Sequence, residues 1–166
     1  MLKVLGMVFI LIASTGIGFS RSHEMQEHLS QLEELHRLFQ FIRSELQYTR
    51  APFAEIFEKI SGKVNPPFVM WLSEMTKRLQ NRGTGSFWDI WNEAIEKELK
   101  DSKLKNDELV DLQNIGKNLE YMESFDLYIE QLEYRIEQTR EECKTKKKLC
   151  QSMGIMGGIF LVILLL

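Results

Sequence analysis

Two apolar runs bracket a charged middle, and no other feature constrains the fold of this chain as strongly. Leu2 to Phe19 carries a single charge, Lys3. As a helix it spans about 27 Å, close to the roughly 30 Å hydrocarbon core of a bilayer. Met153 to Leu166 has no polar side chain and spans about 21 Å, or about 27 Å counted from Leu149. Both runs are expected as membrane helices, 1–20 and 149–166, around a body of residues 21–148. The first run also has the length of a signal peptide. Its exit, Gly16-Ile17-Gly18-Phe19-Ser20, offers no clean small-x-small cleavage site, which favours a retained span. Lys144, Lys146, Lys147 and Lys148 place the body on the cytoplasmic side by the positive-inside rule. Gly154, Gly157, Gly158 and Gly16 are candidates for close helix packing within lipid.

The body reads as helical throughout, and no segment alternates as a strand would. Leu32, Leu35, Phe39, Ile42, Leu46 and Thr49 recur at steps of three and four, the seam of a long amphipathic helix. Pro52 disfavours α geometry at Ala51 and suits the first turn of a second helix, which carries Phe53, Ile56, Phe57 and Ile60. Phe68 to Gln80 forms a third helix through Phe68, Leu72, Met75 and Leu79. Ser86 with Asp89 reads as a capping box opening a fourth. Trp88 and Trp91 share one face of it, and we expect that face in the core. Lys100 to Asn106 is a charged linker before a fifth segment through Leu109, Leu112 and Ile115. A last long helix from about Met122 carries Phe125, Leu127, Tyr128, Leu132, Tyr134 and Ile136 as a seam against the first. The economical fold is all-α: an antiparallel bundle of about five to six helices with N- and C-terminal membrane helices.

Nothing in the pattern carries catalysis. His23, His28 and His36 form no metal motif of the H-E-x-x-H kind. Arg82-Gly83-Thr84-Gly85-Ser86 lacks the lysine and spacing of a phosphate loop. Glu33, Glu34, Glu141 and Glu142 read as solvated helix faces. Cys143 and Cys150 lie about 10.5 Å apart along a helix, too far to bridge. A net charge of −3 carries no nucleic-acid signature. We therefore expect no enzyme, cofactor, metal site or nucleic-acid partner. The candidate partner surface is the Pro52, Phe53, Glu55 turn together with Ser86, Trp88 and Trp91, because loops and helix ends on a rigid scaffold commonly carry function. The charged Lys97 to Lys105 stretch could steer a partner, but a solvated linker is the plainer reading.

Several segments, in order, resemble one family. Glu45-Leu46-Gln47-Tyr48 followed by Pro52-Phe53-Ala54-Glu55 is similar to an "E-[IL]-x-Y…T-P-L-x-E-A" segment. Gly85-Ser86-Phe87-Trp88-Asp89-Ile90-Trp91 resembles "G-x-S-x-x-E-A-W". Ile115-Gly116-Lys117-Asn118-Leu119 looks like the start of "L-G-x-x-L-G-x-x-D". Gln151-Ser152-Met153-Gly154-Ile155-Met156-Gly157-Gly158 and the leucines after it resemble "S-L-G-x-L-x-G" with its apolar tail. The family is stage III sporulation protein AB of endospore-forming bacteria. Ala51, Phe53 and Glu120 depart from its usual Thr, Leu and Gly.

The resemblance implies a likeness to the cytoplasmic domain of the type II secretion platform protein, the F component. It implies a module in the mother-cell membrane facing the forespore, with its soluble domain cytoplasmic. The implied partners are a secretion-type sporulation ATPase and other membrane subunits of the same complex, with homo-oligomers possible. The rival reading is a membrane-bound sensor or signalling helical protein.

Overall fold

The computed structural model describes residues 2–49, 51–81, 85–117 and 122–165; for 2–22, 122, 147, 150–155 and 157–165 the backbone alone is described. The elements are α1 (Leu2–Tyr48), α2 (Phe53–Ser61), α3 (Phe68–Gln80), α4 (Phe87–Glu98), α5 (Asn106–Ile115) and α6 (Met122–Leu165). No strand occurs among the described residues. The chain divides into two compact units, one of residues 30–136 and one of residues 1–29 with 137–166.

Residues 30–136 are built on the facing parts of α1 and α6. Leu32, Leu35, Leu38, Phe39 and Ile42 are fully buried on α1. Opposite them Phe125, Tyr128, Ile129, Leu132 and Ile136 are buried on α6. Phe39 meets Phe125 at 5.7 Å and Tyr128 edge-on at 4.6 Å between ring centroids. His36 pairs with Glu133 at 3.1 Å and Arg43 with Asp126 at 2.7 Å. Partner numbers fall along α6 as they rise along α1, so the two run antiparallel here. Burial lifts the Tyr128 phenol well above its usual range.

The seam expected on α6 is corrected at two positions. Leu127 is 61 % and Tyr134 66 % exposed. At 100° per residue they lie opposite Phe125, Leu132 and Ile136, while Ile129 completes the buried stripe. On α1 the seam frays at its end, where Leu46 and Thr49 are half-buried and Leu38 takes a full core place.

Glu34 is not a solvated residue. It is buried, and its Oε1 accepts from the Asn65 backbone N–H at 2.8 Å and from Asn65 Nδ2 at 3.2 Å. Arg37 reaches its other oxygen at 3.1 Å. A carboxylate on α1 thus ties down the connection between α2 and α3, which contains the cis Pro66–Pro67 bond. Glu108, also buried, accepts from the Lys105 backbone N–H at 2.7 Å and so satisfies the first turn of α5. Arg135 on α6 bridges to Asp107 at 2.6 Å and Asp111 at 2.5 Å. The linker before α5 is also anchored, since Leu104 is buried and the Lys103 backbone N–H donates to Gln31 Oε1 at 2.7 Å.

The expected membrane helices fall on 1–20 and 149–166. Backbone is helical from Leu2 and up to Leu165, but nearly all their side chains lie outside the described residues. Among the described residues no helix is long and apolar enough to cross a membrane. Gly16, Gly154, Gly157 and Gly158 sit on helical backbone whose surroundings are likewise outside that set.

Glu34→Ala removes the acceptor of two part-buried hydrogen bonds from Asn65. A loss of about 0.5–1.5 kcal/mol is expected in urea unfolding, with Glu34→Gln recovering part of it. Hydrogen bonds from Arg78 and Lys97 hold the Glu74 carboxyl below its usual range, and Arg135 does the same for Asp107. Depressed folded-state pKa values give stability that is present above about pH 4 and lost as pH falls through the folded values. Thermal unfolding should show that acid limb, and Arg135→Gln should weaken it.

Candidate functional site

The short helices α2, α3 and α4 enclose an aromatic cluster with Trp91 at its centre. Trp91 meets Trp71 edge-on at 4.7 Å, Phe87 at 5.8 Å and Phe57 at 6.3 Å between centroids. Trp71, Trp91 and Phe57 are fully buried. The Trp71 contribution was absent from the sequence expectation, although its spacing of three from Phe68 on a helix was readable. Its indole N–H is buried without a hydrogen-bond partner among the described residues.

The indole of Trp91 reaches past the cluster to α5. Its Nε1–H donates to the Leu112 carbonyl at 2.8 Å. Leu112 is among the last four residues of α5, whose carbonyls lack partners within the helix. A tryptophan on α4 therefore closes the end of α5. The ring lies directly over Gly116, where a Cβ would stand 2.4 Å from Trp91 Cδ1 and 2.6 Å from Nε1. Gly116 has ordinary helical dihedrals, φ −58° and ψ −24°. Glycine is needed there for space and not for backbone freedom.

This arrangement decides the expected partner surface residue by residue. Trp88 and Trp91 were expected to share a core face; the structure separates them. Trp91 is fully buried and offers nothing to a partner. Trp88 is 38 % exposed, with Lys117 Nζ 5.1 Å from its ring centroid. Ser86 forms the expected capping box: its N–H donates to Asp89 Oδ2 at 2.8 Å, and its Oγ accepts from the Asp89 N–H at 3.2 Å. The Ser86 hydroxyl, which donates to Asp89 Oδ2 at 2.8 Å, and the Ser86 backbone N–H hold the Asp89 carboxyl below its usual range. Pro52, Glu55 and Ser86 are exposed and Phe53 is half-buried.

Phe53 at the start of α2 stacks on Phe87 at the start of α4, 5.0 Å between centroids. Two motifs more than thirty residues apart thus become one surface, with Pro52 and Glu55 on one side and Ser86, Trp88 and Asp89 on the other. An ion-pair cluster ties α3 to α4. Glu74 receives Arg78 at 2.7 Å and Lys97 at 3.0 Å, and Arg78 also pairs with Glu93. Lys97 is therefore engaged within the bundle. No group of side chains able to hold a metal ion occurs among the described residues.

The fold and this surface define an all-helical bundle that presents two joined helix starts. The family profile of stage III sporulation protein AB matches residues 3–166. Stage III sporulation protein AB of Bacillus subtilis (strain 168) is 25 % identical over 172 residues, covering 100 % of both chains. A solved structure of a stage III sporulation protein AB superposes with a TM-score of 0.65 over 71 % of this chain and 97 % of that one. Its identity is 19 %, so that likeness speaks for the fold. The chain belongs to the stage III sporulation protein AB family, and a role in sporulation follows from that membership.

Gly116→Ala sets an overpacking cost of about 1–3 kcal/mol against about 0.4–1 kcal/mol gained from a stiffer unfolded chain. Net destabilisation is expected. In the Gly116→Ala/Trp91→Phe pair the smaller ring vacates the contact, so the double variant should be less destabilised than the sum of the singles. Urea unfolding of the four proteins checks this.

Proposed function

We propose that this protein is a membrane-anchored scaffold in a secretion-like trans-envelope complex needed for endospore formation. In this reading residues 1–20 and 149–166 hold it in the mother-cell membrane facing the forespore. The helical body lies in the cytoplasm and recruits a secretion-type ATPase and other membrane subunits. Family membership supports the sporulation context, and the paired apolar runs with Lys144 to Lys148 support the anchoring. Intrachain pairing of α1 with α6 gives no support to the rival sensor reading, which asks for an extended rod.

One observation carries the docking role: the Phe53–Phe87 stack joins two helix starts on a rigid base and leaves Trp88 exposed beside them. Exposed tryptophans on ordered scaffolds are characteristic anchors at protein interfaces. The buried Trp91 and its ion-paired surroundings keep the two starts in register.

Pull-down and titration with the sporulation ATPase test the reading. Trp88→Ala should weaken binding about tenfold or more with helix content unchanged, and Pro52→Ala should weaken it less. Undiminished binding by Trp88→Ala would count against this surface. Trp91→Ala serves as the contrast, because it should lose stability before it loses any specific contact.

A further inference from the structure

Within the unit of residues 1–29 and 137–166, α1 and α6 leave a cavity of about 180 Å³. Met25, Leu29 and Cys143 supply apolar walls, and Arg140, Lys144 and Lys146 bring three cations to it. Cys143 holds the walls together, its Sγ 3.8 Å from the Met25 carbonyl oxygen. Burial pushes its thiol pKa up. The volume is below the roughly 300–1,000 Å³ of pockets for drug-sized molecules.

The cavity's place in the chain identifies what it suits. Its α6 residues run directly into the apolar segment 149–166, and its α1 residues follow the apolar segment 1–20. At 1.5 Å per residue, Lys146 stands about 5 Å and Lys144 about 8 Å from Leu149 along the helix. A polar headgroup layer is about 5–8 Å deep on each side of the hydrocarbon. Leu149 and Met156, seven apart on α6, are both exposed apolar side chains, as lipid contact requires. Lys144 pairs with the exposed Glu141 at 2.7 Å and Lys146 with the exposed Glu142 at 3.9 Å, while Arg140 meets Glu137 at 2.9 Å. Exposed pairs of this kind are weak and exchange readily for a better anion. Gln26 adds an amide to the lining.

We propose that this cavity binds the phosphate headgroup of an anionic phospholipid. Lys144 and Lys146 meet the phosphate, and Met25, Leu29 and Cys143 wall the cavity beside it. The site rests on the anchored reading above and adds to it a lipid selectivity that fixes the depth of α6 at the membrane surface.

The test uses the full chain in vesicles of phosphatidylcholine with or without phosphatidylglycerol, followed by native mass spectrometry of the extracted protein. Retention of phosphatidylglycerol over phosphatidylcholine is expected. Each cavity lysine makes a charge-assisted contact whose loss costs on the order of tenfold, so Lys144→Gln/Lys146→Gln should lose on the order of a hundredfold. Lys148→Gln removes the same kind of charge outside the cavity and should lose markedly less than either cavity lysine alone. Cys143→Phe fills the cavity without changing charge and should also abolish retention, with circular dichroism confirming helix content. Equal losses from Lys148→Gln and Lys144→Gln would overturn the site in favour of general surface charge. Displacement of the lipid by millimolar inorganic phosphate would overturn the lipid assignment. Carbonate-resistant association with pure phosphatidylcholine vesicles separates the two readings: a chain that inserts without anionic preference overturns this site alone, and one that fails to insert overturns the anchoring with it.

Discussion

The seating of Trp91 over Gly116 is the contact on which the body of this protein depends. One indole fills the centre of the α2–α3–α4 cluster, donates to a carbonyl at the end of α5 and occupies the space a side chain on residue 116 would need. Burying a tryptophan yields a large hydrophobic gain, but a buried N–H without a partner forfeits part of it. The Leu112 carbonyl resolves that conflict, and α5 gains a closed terminus from the same bond. The short helices need such tertiary contacts, since each is too short to be stable alone.

The same contact gives physical content to the family pattern. The tryptophan closing the Gly85–Trp91 segment and the glycine opening the Gly116 segment are two halves of one interaction. Likewise the Pro52–Glu55 and Ser86–Asp89 segments meet through Phe53 and Phe87. What reads along the chain as three weak motifs is in space one core contact and one surface. Glu34 and Glu108 act in the same spirit, because each buried carboxylate satisfies backbone N–H groups of a segment that cannot satisfy its own.

Much of the architecture was legible before any coordinates. The break at Pro52, the extent of α3 and the Ser86–Asp89 cap rest on local chemistry, where a ring, a periodic stripe or a four-residue hydrogen-bond loop acts without tertiary help. Half the candidate surface was legible for the same reason. The remainder was not. Periodicity places Trp88 and Trp91 on one face, but the angular spread between i and i+3 is about 60°, enough for one ring to enter the core while the other stays at its edge. Leu127 and Tyr134 depart from the expected seam because apolar character does not dictate burial, and single exposed apolar residues are ordinary on protein surfaces. The burial of Glu34 is not legible in sequence because its partner, Asn65, lies on a loop 31 residues away.

The sequence by itself determined the helical class, the breaks between the short helices and the contrast in composition between a charged body and apolar ends, because each follows from residues close together in the chain. Tertiary structure alone decided which carboxylates are buried, which tryptophan is structural and which helix starts form one surface. Those outcomes depend on side chains tens of residues apart, whose meeting is set by how the helices stack and not by any local preference.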